Sequence, residues 1–276
     1  MSQRLIVLTG YFLRNLFFSL AGSIYVILTL ACWAIFFPPG QGTPDIDNYI
    51  LIIGAFGAAM TFLATLTIAS RAYRAENYPL IVRLPSRVEY ITAVFTSALV
   101  FGFVLQFLMA VLALIRGPEA SFSQMLAIPP IWISFNIAAA MLALHASDLV
   151  ASGWSRVVIF GILAVLLISQ NIIDRLTTGL ADLSGTLSGI FYSQQWVTVA
   201  SSFGQLSSWL HGSGREILGN ILGVVFWPFR SIIDAVFAGH FTPTQALAPA
   251  VIVLYGAILF LVASDLFSTK DLEMTE

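Results

Sequence analysis

The sequence predicts an all-α protein that crosses a membrane six times, and three observations point there. Apolar residues make up 58% of the 276-residue chain and charged residues only 9%, against about a quarter charged in an ordinary soluble domain. Mean hydropathy is +0.91. Six uninterrupted apolar stretches approach or exceed twenty residues, the length a helix needs to cross about 30 Å of hydrocarbon. Segments so long and so uniformly apolar are not the short alternating strands of a barrel, and helices otherwise satisfy their own backbone in lipid. An ordinary soluble enzyme is excluded on the same grounds.

The stretches cover residues 16–37, 50–69, 90–115, 131–149, 157–173 and 246–266. Ser86-Arg87-Val88-Glu89 is a capping-box pattern opening the third. Thr242-Pro243-Thr244-Gln245 is another opening the sixth, with Pro243 at the first helical position. The N-terminus has no signal-peptide cleavage pattern, because Arg14 and Asn15 interrupt its short apolar run. Cys32 lies inside an apolar stretch and forms no internal disulfide, being the single cysteine.

Orientation follows from the basic residues, which collect on the cytoplasmic side of short loops. Arg4, Arg14, Arg71, Arg74, Arg83, Arg87, Arg156 and Lys270 fall on one side, and Arg116 alone falls in the two short loops opposite. This division predicts a multi-pass protein of the cell membrane with both termini in the cytoplasm. The connection 174–245 then lies on the far side. It holds nine of the twenty glycines yet is too apolar for a solvated linker. Within it, 217–229 is apolar for too short a distance to cross and meets Pro228, which predicts a re-entrant or interfacial helix. Extension to Phe237 would make a seventh span and put Lys270 on the wrong side. Residues 187–210 mix Phe191, Tyr192, Trp196, Phe203 and Trp209 with serine and glutamine, as expected of aromatic-anchored helices at a membrane face.

Charges are nearly absent from the six stretches, which disfavours a proton- or sodium-driven carrier. Gln106, Asn136, Gln170 and Asn171 are the main polar groups at depth, open to two readings: hydrogen bonds between helices, or a candidate substrate path. His145, His211 and His240 lack metal-pair spacing, so neither a metal nor a cofactor is expected. The near-neutral net charge of −2 offers no field for nucleic acid. A Walker A loop is impossible, since the one lysine, Lys270, precedes Asp271. The densest charged stretch is 71–89, containing Arg71, Arg74, Glu76, Arg83 and Arg87. Pro79 and Pro85 bracket a short apolar piece suited to a helical turn along the membrane surface, either a lipid anchor or a docking element for a cytoplasmic protein.

Taken together, this layout resembles the permease subunits of type-two ABC exporters, the six-span class. The resemblance implies an amphipathic N-terminal helix over residues 1–15, a coupling helix within 71–89 that docks on a separate ATP-binding cassette ATPase, and re-entrant helices within 174–245. It further implies a second permease subunit, identical or homologous, facing this one across the substrate path, with no ATP site in this chain. Two other readings use different residues. One is a non-transporting subunit anchoring a respiratory or photosynthetic complex, with His145 and the aromatic girdle holding a cofactor. The other is a lipid-acting enzyme using Asp174, Asp182 or His211.

Overall fold

The computed structural model describes residues 2–38, 45–115, 122–150, 161 and 172–270, and among these all regular structure is helical. Ten α-helices follow in order: α1 (Ser2–Phe17), α2 (Leu20–Phe36), α3 (Ile46–Ala72), α4 (Tyr78–Arg83), α5 (Arg87–Leu114), α6 (Phe122–Ala146), α7 (Ile172–Ser193), α8 (Val197–His211), α9 (Ser213–Ala238) and α10 (Ala248–Thr269). Four stretches, Ile46–Ala72, Arg87–Leu114, Ile128–Ala146 and Gln245–Thr269, are long and apolar enough to cross a membrane. The bent pair α1–α2 brings the number to five if counted as one span. The stretch 157–173 lies almost wholly outside the described residues, as do Arg156, Gln170 and Asn171.

The chain divides into two compact units, Met1–Ile159 with Pro228–Glu276, and Phe160–Trp227. In the first, α3 packs against both α5 and α6, and α10 packs against α6. Their shared core includes Ile53, Ala64, Phe101, Leu105, Met109 and Ile131, each at most 1% exposed. Within this hydrophobic chain the outward faces stay apolar as well: Val104, Phe107 and Val111 of α5 are exposed, and so are Leu254, Ile258 and Leu261 of α10. Apolar residues on all sides of a helix are the mark of a lipid-facing span.

The first apolar stretch does not begin as the sequence predicts. A 69° bend falls within residues 16–37, so that α1 ends at Phe17 and the apolar helix α2 begins at Leu20. Ser19 makes the corner, donating its hydroxyl to the Leu16 carbonyl at 2.7 Å and accepting from the Gly22 N–H at 3.3 Å. This is an N-cap, and it satisfies one of the orphan donors at the start of α2. Gly22 permits the corner, because a Cβ there would sit 2.2 Å from the Leu16 carbonyl oxygen. Before the bend, α1 buries Leu8, Phe12 and Leu16, one helical stripe, while Ile6, Val7 and Tyr11 stay exposed. The stripe lies on α5, where Phe12 meets Tyr90 edge-on at 5.5 Å and Ser97 donates to the Thr9 carbonyl at 3.2 Å.

Two prolines signals also resolve differently from expectation. Pro129 and Pro130 lie inside α6, not ahead of it, and Pro228 lies inside α9, which runs unbroken to Ala238. Each proline removes one backbone donor from the i to i−4 ladder, but its φ remains helical. The capping box at 242–245 forms in both directions: the Thr242 N–H donates to Gln245 Oε1 at 3.0 Å and the Gln245 N–H to Thr242 Oγ1 at 3.3 Å. It opens a 3₁₀ turn, Gln245–Leu247, that leads into α10.

In the second unit, α7 and α8 form an antiparallel hairpin. Ser188 donates to the Ala200 carbonyl at 2.7 Å and Ser207 to the Ala181 carbonyl at 2.8 Å. Phe191 stacks on Trp196 and Phe203 beside the turn, whose Gln195 adopts a left-handed φ of 62°.

Two alanine substitutions separate the corner from the rest of α1. Gly22→Ala should lower stability by about 1–3 kcal/mol, since a backbone carbonyl stands in the way. Gly10→Ala, exposed and with open space around its would-be Cβ, should raise stability by about 0.5–1 kcal/mol. Thermal unfolding of the purified protein in detergent reads both.

Candidate functional site

Five chain segments meet at one end of the first unit, and basic side chains join them. Arg87, at the start of α5, donates to the carbonyls of Ser268 at 3.2 Å and Lys270 at 2.8 Å, closing the C-terminus of α10. Lys270 donates its ammonium to the Asp148 carbonyl just beyond α6 and lies 4.8 Å above the Tyr73 ring at the end of α3. Arg71 reaches back to the α1–α2 corner, donating to the Asn15 carbonyl and to Ser19 Oγ, both at 3.1 Å. The last carbonyls of α3 are also occupied: Tyr90 donates to Ala72 O at 2.7 Å, and the Asn77 amide to Arg71 O at 2.9 Å. Tyr11 of α1 completes the set, donating to Asn77 Oδ1 at 3.2 Å.

Between these ties runs the loop that the sequence singled out. A 3₁₀ turn, Ala75–Asn77, precedes α4, which carries Pro79 in its first turn as a helix start prefers. Ile81 is buried and holds α4 to the body, while Tyr78, Pro79, Val82 and Arg83 face outward. Arg74 and Glu76 are exposed beside them. The five charged residues of the predicted docking loop therefore part into two groups. Arg71 and Arg87 tie helices together from within; Arg74, Glu76 and Arg83 present charge to the outside.

Sequence reasoning did not find the roles of Asp148, Tyr73 and Glu89. The first two join Lys270 through a backbone carbonyl and a ring face, which no residue pattern announces. Glu89 was expected to complete a capping box, but Ser86 Oγ accepts from the Val88 N–H at 3.2 Å and the carboxylate turns inward. It is 6% exposed, and its Oε2 has no hydrogen-bond partner among the described residues. A carboxylate in the first turn is favoured by the helix dipole, which offsets part of its desolvation.

Of the polar groups at depth, Gln106 and Asn136 come together. Asn136 donates its amide to Gln106 Oε1 at 2.5 Å, Thr61 donates its hydroxyl to Asn136 Oδ1 at 2.9 Å, and Gln106 donates to the Ile53 carbonyl at 3.1 Å. All three side chains are at most 1% exposed. The group links α3, α5 and α6 and lines none of the cavities described below. Gly102 makes room for it, because a Cβ there would stand 1.9 Å from Thr61 Oγ1.

His145 is buried near the end of α6, with Nδ1 at 2.9 Å from the Met141 carbonyl. His211 approaches Asp182 at 3.8 Å on an exposed face of the helical hairpin. Among the described residues no three histidine, cysteine or acidic side chains group as a metal site. At the end of the first unit opposite the basic ties, a cavity of about 450 Å³ is lined mainly by apolar side chains such as Leu126, Pro130 and Phe241, with Asp47 and His240 among them. A second cavity, of about 350 Å³, lies at the basic end. No protein-family model, curated protein or solved structure matches the chain.

Asn136→Ala should cost about 1–3 kcal/mol, because it leaves a buried carbonyl and a buried hydroxyl without partners. The same substitution in a Gln106→Ala background should cost less. A double-mutant cycle of unfolding midpoints in detergent measures the difference.

Proposed function

We propose that this chain is the transmembrane permease subunit of an exporter, driven by a separate ATPase that docks on the α4 loop from the cytoplasm. The observation that carries the reading is the division of labour in that loop. Its edges are fixed to α1, α3, α5 and α10 by Arg71, Tyr90 and Arg87, while Tyr78, Val82, Arg83, Arg74 and Glu76 remain outward and unburied. A force applied to α4 would pass into these helices as a unit. Mixed aromatic, aliphatic and arginine side chains on a small rigid element suit a protein partner better than a merely solvated turn.

Topology adds support for six spans. The C-terminus of α6 meets Lys270 at the basic end, whereas the start of α10 lines the opposite cavity together with the starts of α3 and α6. The chain between α6 and α10 therefore returns to the far end, and 157–173 is the apolar stretch suited to that single crossing. The excess of arginine makes the basic end cytoplasmic. Two such subunits would enclose the path, and closure of ATPases on nucleotide would tilt the helices between two states. With no Walker A loop in the chain, the energy comes from the partner.

Purification from the native membrane should recover an ATP-binding subunit, and transport should be sensitive to vanadate; recovery alone, with vanadate-insensitive transport, refutes the proposal. Arg83→Glu should reduce stimulation of the partner's ATPase by about tenfold, as reversal of a contact charge does. Its insertion and folding should match the wild type, since Arg83 is exposed. Arg87→Glu should instead destabilise the protein in the absence of any partner, because it abandons the carbonyls of α10.

A further inference from the structure

The cavity of about 350 Å³ at the basic end is lined by Tyr11, Asn15 and Ser19 from the α1–α2 corner and by Arg71, Arg74 and Asn77 from the end of α3 and the turn after it. Its polar lining is unlike that of the opposite cavity. Arg71 commits two of its N–H groups to Asn15 and Ser19, and a guanidinium has five. Arg74 lies exposed and makes no side-chain hydrogen bond or ion pair among the described residues. Glu76 also lines the cavity, so the three charged side chains there sum to one positive charge. The Asn15 amide adds a neutral donor to the lining, while the Tyr11 hydroxyl beside it is committed to Asn77.

The surroundings identify the kind of anion. Arg71, in the last turn of α3, a helix long and apolar enough to cross a membrane, bonds to this corner, so the cavity lies level with the end of that helix, where headgroups would stand. An exposed apolar row, Leu20, Ile24 and Leu28, starts one residue past Ser19 and runs down α2 at a spacing of four. Phe18, 87% exposed, stands at its head. A ligand with a phosphate in the cavity would find hydrocarbon-binding surface directly beneath. Basic pockets at the cytoplasmic end of membrane helices take anionic headgroups in this way, and arginine suits phosphate through its paired donors.

We propose that this cavity binds the phosphate headgroup of an anionic membrane lipid, with Arg74 and the unused N–H groups of Arg71 as its cationic contacts. The lipid would hold the α1–α2 corner to the end of α3. The proposal rests on membrane embedding and not on the transporter reading, so either can fail without the other.

Native mass spectrometry of the full chain in detergent, titrated with dioleoyl phosphatidylglycerol or dioleoyl phosphatidylcholine, tests it. Phosphatidylglycerol should be retained preferentially, and Arg74→Gln should weaken its retention about fivefold, the effect of one arginine at an anionic surface. Arg83→Gln removes the same charge from the same end of the protein but lies outside the cavity, and it should leave retention unchanged. Equal loss in both variants would assign the effect to a diffuse basic field and overturn the site. Equal retention of the two lipids would overturn it as well. Glycerol phosphate serves as the soluble competitor: displacement of the lipid at equal concentration would make a free phosphate ester the ligand and refute the lipid assignment. Failure to compete, with the Arg74 dependence intact, supports a bound lipid.

Discussion

Every α-helix leaves its last four carbonyls without partners inside the helix, and in this protein several helices end together at one face. Their common need for donors organises that end of the molecule. Arg71 supplies α1, Tyr90 and Asn77 supply α3, Lys270 supplies the turn just beyond α6, and Arg87 supplies α10. All five of these donors come from a different helix or from the turn beyond it. Cations are favoured here twice over, by hydrogen bonding and by the negative end of each helix dipole. The scarcity of charge in the chain thus becomes intelligible: several of the few charged side chains are needed where helices stop.

This arrangement changes the meaning of a basic loop. Arginines between two spans are usually taken as an orientation signal, and the residues flanking α4 satisfy that rule. Geometry distinguishes among them more finely. The two at the edges face inward to carbonyls, and those at the centre have none to meet. The rigid frame and the outward face are therefore separate parts of one short segment. Deeper in the fold, α3, α5 and α6 solve the same problem without charge, by joining Thr61, Asn136 and Gln106 into a closed group. Burial leaves each of these side chains only its neighbours as partners, which fixes the register of three otherwise apolar helices.

The second, third and sixth apolar stretches were legible because hydrophobicity alone defines a lipid-crossing segment. Residues 50–69, 90–115 and 246–266 overlap α3, α5 and α10 almost throughout. Their ends were less so, since polar residues such as Asp47 and Arg71 continue the helices beyond the hydrocarbon. The corner at Ser19 was legible only in part: an amphipathic helix over 1–15 was expected ahead of the first stretch, but the residues on either side of Ser19 are apolar, so that hydropathy does not register where the chain turns. Prolines misled for the opposite reason, being weighed as stops when a helix with supporting contacts can run through them. The surface turn between Pro79 and Pro85 was visible from its brackets. What no pattern could supply was that Arg87 meets a helix end about 180 residues later in the chain, because that pairing exists only after the helices assemble.

The buried stripe of α1 has a consequence for how the protein is made. Leu8, Phe12 and Leu16 are covered by α5, which begins only at Arg87. During synthesis the first helix leaves the ribosome long before its cover, and α2 and the membrane-length α3 must follow before it can dock. Its apolar face has a temporary home in the bilayer surface, where an amphipathic helix is stable without partners. Closure of the N-terminus onto α5 is then a late step of assembly by the earliest segment made, and the contacts of Arg71 with the corner at Ser19 can form no sooner than the end of α3 has been inserted.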